Sequence, residues 1–258
     1  MAESRDQKGI GSVEIAIGIL RLIEQAPGPV SLTQIAKAAG FLPSKTHHYL
    51  VSMIRTGLVS QEPTRGLYTL GRYALQLGLT ALARTEAGSI TAQAVRELRD
   101  RTGQTTFFSL WGDHGPVVVH SEQGLRTVTV HVRIGTVFPL YGSATSDVFL
   151  AWMPDAQLAP LLNKSGSGRG VSLRDVAETR TRVRKAGVAH QSNTRTPNVT
   201  ALAVPVFSKG GILAGVLTSV GFHGDFDDDP KSEHVHVLKT YARNLSHELG
   251  FAAGPPPA

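Results

Sequence analysis

Residues Ser31–Leu50 read SLTQIAKAAGFLPSKTHHYL, and this stretch decides the architecture of the first third of the chain. Ser31 followed by Gln34 is a capping-box pattern, in which each residue satisfies a free amide of the other at a helix start. Leu32, Ile35, Ala36 and Ala39 give that short helix an apolar face, and Gly40 stops it. Pro43-Ser44 opens a second helix with Tyr49, Leu50, Met53 and Ile54 apolar, closed by Gly57. Two short helices joined by a tight glycine-containing turn read as a helix-turn-helix.

The flanks complete a winged version of this motif. Upstream, Val13, Ile17, Leu20 and Ile23 or Glu24 follow a helical rhythm, with Ser12 as cap and Pro27-Gly28-Pro29 as terminator. Downstream, Leu58–Leu70 holds two short strand-like runs around Pro63–Gly66, a hairpin wing. Such a fold lays its second helix in the major groove and reaches phosphate or minor groove with the wing. The candidate DNA contacts are Ser44, Lys45, Thr46, His47 and His48, read as the exposed residues of that helix. Arg55 at its end, Arg65 at the wing tip, and Ser31 and Thr33 on the preceding helix join them. Hydroxyls, ammonium, guanidinium and imidazole groups can all donate to phosphates or base edges. His47 and His48 are adjacent, about 100° apart on a helix, and so cannot chelate one metal together.

The charge distribution agrees. The 258 residues carry a formal net charge of +6. Residues 1–85 hold nine Lys and Arg against five Asp and Glu, so +4 of that excess sits in one-third of the chain. There is no cysteine, which excludes disulfides, thiolate nucleophiles and Cys-ligated zinc. The apolar run Ala201–Phe207, as long as any in the chain, is far short of the roughly 20 residues that span a bilayer. The polar N-terminus lacks the apolar stretch of a signal peptide. The expectation is a cytoplasmic protein with no membrane partner.

The order of elements resembles the IclR family of bacterial transcriptional regulators over about residues 10–250. The matching stretches include Ser12-Val-Glu14, Leu32-Thr-Gln-Ile-Ala36, Gly57-Leu-Val59 and Gly66-Leu-Tyr-Thr-Leu-Gly71. Gly135-Thr-Val-Phe-Pro-Leu140, Gly187-Val-Ala189 and Ala203-Val-Pro-Val206 continue the match. Three departures stand out. The entry to the reading helix is Leu42-Pro43-Ser44-Lys45, with His48 where the family usually has Arg. Tyr141-Gly-Ser-Ala-Thr-Ser-Asp147 replaces a stretch ending in Gly-Lys, putting an acid where the Lys would be. Asn193-Thr194 replaces a common acidic pair.

The resemblance implies an α+β chain: an N-terminal winged helix-turn-helix over 1–70, a linker helix over 71–86, a GAF-like effector-binding domain over 87–251 and a flexible tail over 252–258. It implies a homo-oligomer, dimer or tetramer, with the linker helix (Leu75, Leu79, Leu82) helping two heads to pair. It implies a double-stranded DNA operator and a small organic-acid or aromatic effector as partners. From the family layout, the effector cup takes Phe138 and Tyr141, Gly142, Ser143 and Ala144 at a helix start, and alternate late-strand residues Thr200, Leu202, Thr218 and Val220. A helix N-terminus suits a carboxylate.

In this second part the residues themselves predict strands at Thr105–Trp111, Val117–Ser121, Thr127–Val132, Val188–Ser192, Thr200–Phe207 and Leu213–Val220, with Lys209-Gly-Gly211 as a turn. Helices are predicted at 90–101, Ala144–Met153, Leu173–Ala186 and Pro230–Leu249, the last preceded by acids from Asp225 to Asp229. Ser165–Gly170 is glycine-rich but lacks the Gly-Lys-Ser/Thr ending of a phosphate loop. His234 and His236 point to different helix faces, so no shared metal is expected. No nucleophile elbow or zinc-protease motif is present. The chain is read as a non-enzymatic regulator needing no metal or cofactor. The alternative is a small-metabolite enzyme with an N-terminal interaction module.

Overall fold

The computed structural model describes residues 9–83, 90–162, 172–224, 227, 229 and 231–252. The glycine-rich segment 165–170, Asp225, Asp228 and the tail from 253 lie outside the described residues. The chain divides into two compact units, 1–82 and 83–258.

The first unit runs α1 (Gly11–Gln25), α2 (Leu32–Ala39), α3 (Pro43–Arg55), β1 (Val59–Gln61), β2 (Tyr68–Leu70) and α4 (Arg72–Ala83). The capping box forms in full: Ser31 Oγ accepts from the Gln34 amide, and the Gln34 side chain accepts from the Ser31 amide. Gly40 caps α2 in the left-handed region at φ 68°, where a side chain would be strained, and so makes the tight turn into α3. Ile19, Ile23, Ile35, Leu50, Met53, Val59 and Tyr68 form the core. Here α1 departs from expectation. Its cap position is Ile10, with no side-chain bond, not Ser12. Its buried stripe is Ile19 and Ile23, leaving Val13 and Ile17 exposed.

The second unit comprises α5 (Thr91–Thr102), β3 (Thr105–Gly112), β4 (Gly115–Glu122), α6 (Ala144–Trp152), α7 (Asp155–Leu162), α8 (Leu173–Ala186), β5 (Ala189–Ser192), β6 (Val199–Ser208), β7 (Ile212–Phe222) and α9 (Glu233–Glu248). The five strands form one antiparallel sheet in the order β4-β3-β7-β6-β5. On one face α5 and α9 bury Val95, Leu98, Leu238 and Leu245 against Phe108, Leu202, Val204 and Leu217. On the other, α6 buries Val148 and Phe149 with Ala203 and Val216. Residues 144–151 of α6 are all buried, as a helix enclosed on every side must be. Arg180 and Arg184 of α8 donate to the Leu150, Met153 and Ala151 carbonyls, satisfying the free acceptors at the end of α6.

Three expectations need correction. Thr127–Val132 is not a strand. Its carbonyls are taken by side chains instead: Thr105 Oγ1 donates to Val130 O and Ser121 Oγ to Val132 O. Second, α7 was not foreseen; it carries Pro160, which reads as a breaker in sequence. Third, α9 starts at Glu233, because Ser232 Oγ accepts from the Val235 amide and sets the cap there.

His234 of α9 bonds Ser219 Oγ of β7 at 3.0 Å. Burial holds its imidazole below the ordinary value, with Asp227 opposing. The unfolded chain therefore takes up this proton first as pH falls, so folded-state stability is full above about pH 6.5 and declines below it. His234→Gln keeps a polar group near Ser219 and is expected to flatten the decline of thermal midpoint between about pH 6.5 and 5. Parallel melting curves for the two proteins across that range would refute the assignment.

Candidate functional site

In the first unit, the face of α3 opposite the core is set by helix rotation. Counting about 100° per residue from Ser44, the buried Thr46, Leu50 and Met53 fall near 200°, 240° and 180°. His48 and Arg55 fall near 40° and 20°, flanked by Lys45 and His47, and all are exposed. Thr46 is therefore corrected: it is fully buried, and its Oγ1 donates to the Leu42 carbonyl at 3.2 Å. Five consecutive helical residues cannot all face solvent on a helix packed along one side. Ser52, exposed beside His48, belongs to the same face and was missed; its spacing of four from His48 is the signal that finds it.

Lys45 Nζ sits 4.0 Å from the Phe41 ring centroid, a cation–π contact that steadies the ammonium. Arg65 is exposed at the wing tip, and Thr33 is exposed on α2. Ser31 is half-buried, its hydroxyl held by Gln34. Among the described residues of this unit, no Lys or Arg makes an ion pair. These described cations are thus left without a carboxylate partner.

In the second unit, a cup of about 230 Å³ opens on the α6 face of the sheet. Phe107 and Phe138 stack on one another in its lining, centroids 5.5 Å apart, with Val199, Ala201 and Val220 as further wall. Gly142, Ser143 and Ala144 are also in its lining. Ser143 caps α6 by accepting from the Ser146 amide at 3.0 Å. The first-turn amides of Ala144 and Thr145 have no intrahelical acceptor, and both residues line the cup. Val130, His131 and Val132 close another side.

The late strands correct the expected lining. Ala201 pairs with Val220 across β6 and β7, and paired residues share a face. Thr200 and Leu202 alternate to the other face. Leu202 is core beneath α5 and α9, and Thr200 is fully buried, bonded to Ser192 and His223. Thr218 is on the cup side but buried, its hydroxyl 2.9 Å from that of Thr145. Tyr141 is 53% exposed and lines a neighbouring polar cleft with Asp147, Asp175 and Arg182 rather than the cup.

The structure also brings in residues that sequence reasoning missed. Asn193 and Asn198 both have positive φ, at 56° and 60°, which asparagine tolerates better than most side chains. The Asn198 amide donates to Asn193 Oδ1 at 2.7 Å, closing a short loop. That loop carries Thr194, Arg195 and Thr196 to the cup, with the Arg195 guanidinium 5.9 Å from the Phe138 ring. Asp147, the acid at the departing position, is buried and accepts from Arg182 and from Gln191, each at 2.8 Å. Gln191 lines the cup too, so this carboxylate supports the cup from behind. The cup thus combines aromatic walls, two helix-start amides and a rim cation.

Among the described residues, no three His, Asp or Glu side chains cluster as a metal-holding group, and no helix is long and apolar enough to cross a membrane.

Comparison with known proteins gives the same two parts. The sequence model for the IclR helix-turn-helix domain matches residues 12–63, and that for the bacterial transcriptional regulator IclR C-terminal domain matches residues 79–247. The chain is 26% identical to the HTH-type transcriptional regulator XynR of Escherichia coli K12, over 95% of this chain and 99% of that one. It is 33% identical to Pseudomonas aeruginosa HmgR, whose crystal structure superposes with a TM-score of 0.62, covering 95% and 100% of the two chains. The fold also matches an IclR homologue from Microbacterium hydrocarbonoxydans crystallised with 4-hydroxybenzoate, at 16% identity and a TM-score of 0.77, covering 93% and 99%. The chain belongs to the IclR family of bacterial transcriptional regulators, with a helix-turn-helix DNA-binding domain.

Proposed function

We propose that the α3 face of Ser44, Lys45, His47, His48 and Arg55, with Arg65 of the wing, reads a pseudo-palindromic operator in the cytoplasm as part of a homo-oligomer. Exposed apolar side chains support pairing of two heads: Ile10, Val13 and Ile17 on or beside α1, and Tyr73, Leu75, Leu77 and Leu79 on α4. The effector is a small monocyclic carboxylate held in the cup, and the chain acts on it by binding rather than turnover. The observation that carries this reading is the stacked Phe107–Phe138 pair lining one cup with Arg195 and with Ala144 and Thr145 of the α6 start. Aromatic walls take the ring, and the guanidinium and helix start take the carboxylate. A cup of about 230 Å³ favours one ring over two. That the fold relative named above was crystallised with 4-hydroxybenzoate is in keeping with this class. Effector binding shifts the population of arrangements that present the two reading helices, provided its affinity for those arrangements differs.

A thermal-shift series of substituted benzoates and phenylacetates tests the site, because a bound ligand stabilises the folded state. Arg195→Ala is expected to weaken the best binder about 30-fold, near 2 kcal/mol for one charge-assisted bond. An unchanged affinity removes Arg195 from the site, and a series with no shift refutes the ligand class.

A further inference from the structure

A second cavity, of about 410 Å³, lies between the end of α6, β6 and α9, and none of its lining residues lines the effector cup. Its aromatic floor is built by a specific chain ending. At the C-terminus of α9, the Phe251 amide donates to Ser246 O and the Gly250 amide to His247 O. That pair of bonds is a Schellman motif, which folds the residue after the glycine back onto the helix. Phe251 is thereby set against Phe207, centroids 5.4 Å apart, and Trp152 meets Phe207 edge-on at 5.8 Å. Phe207 itself follows a bulge in β6, and the amide this frees donates to Ser246 Oγ. The hydroxyl in the floor is thus already engaged, and what remains for a ligand body is apolar.

The rim is cationic. Lys239, Arg243 and His247 recur every four residues along α9, on one helix face. Among the described residues none of them makes an ion pair with a carboxylate. Lys239 donates once, to the Ala186 carbonyl, which leaves two of its three donors. Burial and then the neighbouring Arg243 charge hold its ammonium below the usual lysine value. Like charges one turn apart repel, so an anion placed between them would relieve both costs. The helix dipole explains a cation in the last turn such as His247, but not one in the middle of α9 such as Lys239.

We propose that this cavity is a second small-molecule site, taking an amphipathic carboxylate. Its apolar body lies on Trp152, Phe207 and Phe251, and its carboxylate lies between Lys239 and Arg243. The site stands apart from the effector cup and does not depend on what fills it.

Trp152 is one of two tryptophans in the chain, so Trp111→Phe leaves it as the sole indole reporter. The full-length protein is titrated with 4-phenylbutyrate and with its neutral amide. A saturable change in Trp152 emission is expected, with the acid binding at least about tenfold tighter than the amide. Lys239→Gln with Arg243→Gln, both on the rim, should remove that preference and leave amide binding as it was. Arg195→Ala in the cup should alter neither. Isothermal titration of the protein with both tryptophans supplies the same comparison if Trp111→Phe unfolds. Equal affinity for acid and amide overturns the proposal, as does an acid preference that survives the double substitution. Loss of binding in Arg195→Ala would place the ligand in the cup instead. No saturable response to the acid, as when a second copy of the chain covers the face, also overturns it.

Discussion

Gly71→Ala is expected to unfold the DNA-binding head at physiological temperature while ligand binding by the second unit persists. A Cβ built at Gly71 would lie 2.1 Å from the Gly57 carbonyl oxygen and 2.8 Å from its carbon. These are backbone atoms, so no side chain can swing aside. The same seam carries the Gly71 amide to Leu58 O at 2.8 Å and the Tyr73 amide to Gly57 O at 3.0 Å. Relief of the clash must therefore pull the end of β2 and the start of α4 away from the end of α3. Overpacking against an immobile neighbour costs about 3 kcal/mol or more, a large part of the stability of a small unit. Hydrogen exchange should show lost protection across β1, β2 and the first turn of α4, with the amides of β6 and β7 unchanged. Operator binding should fall with it. Wild-type protection in β1 and β2 would show that this close approach does not hold the wing to the helices.

The second large effect is electrostatic. Lys45→Ala with Arg65→Ala removes one cation from the α3 face and one from the wing tip, both exposed and without a carboxylate partner among the described residues. If each neutralises one phosphate, the slope of log affinity against log salt should flatten by about 0.9 per contact, close to 2 for the pair. Affinity at moderate salt should fall roughly 100-fold, with little change in preference between operator and unrelated DNA, since phosphate contacts position but do not specify. His48→Ala, by contrast, sits at the centre of the exposed face and should lose discrimination among operator variants more than it loses slope. A double variant with the wild-type salt slope would remove Lys45 and Arg65 from the interface.

Much of this was legible in the residues because it depends on neighbours in sequence. The Ser31–Gln34 box, the Gly40 turn and the start of α3 at Pro43 are all local devices, and each formed where it was read. The +4 of residues 1–85 likewise needs only counting. Failures came where a choice depends on distant partners. Thr127–Val132 alternates as a strand does, and Val130 and Val132 are half-buried as the alternation requires. No strand pairs with it; the Thr105 and Ser121 hydroxyls bond two of its carbonyls, those of Val130 and Val132. Along β6 the period of two was right and its phase was wrong: Val199 and Ala201 face the cup, Thr200 and Leu202 do not.

The sequence by itself determined the two-part architecture, the reading head and its surplus of cations, because caps, turns, apolar spacing and charge are properties of short stretches. Only the tertiary structure decided which side of each element meets a ligand. A one-residue shift in strand phase, or half a turn of helix, exchanges buried for exposed at no local cost, so packing against remote residues must settle it. For the same reason Phe107 and the Gln191–Arg195 stretch, far apart in the chain, became one site only when β3 and β5 with its following Asn193–Asn198 loop were brought together around α6.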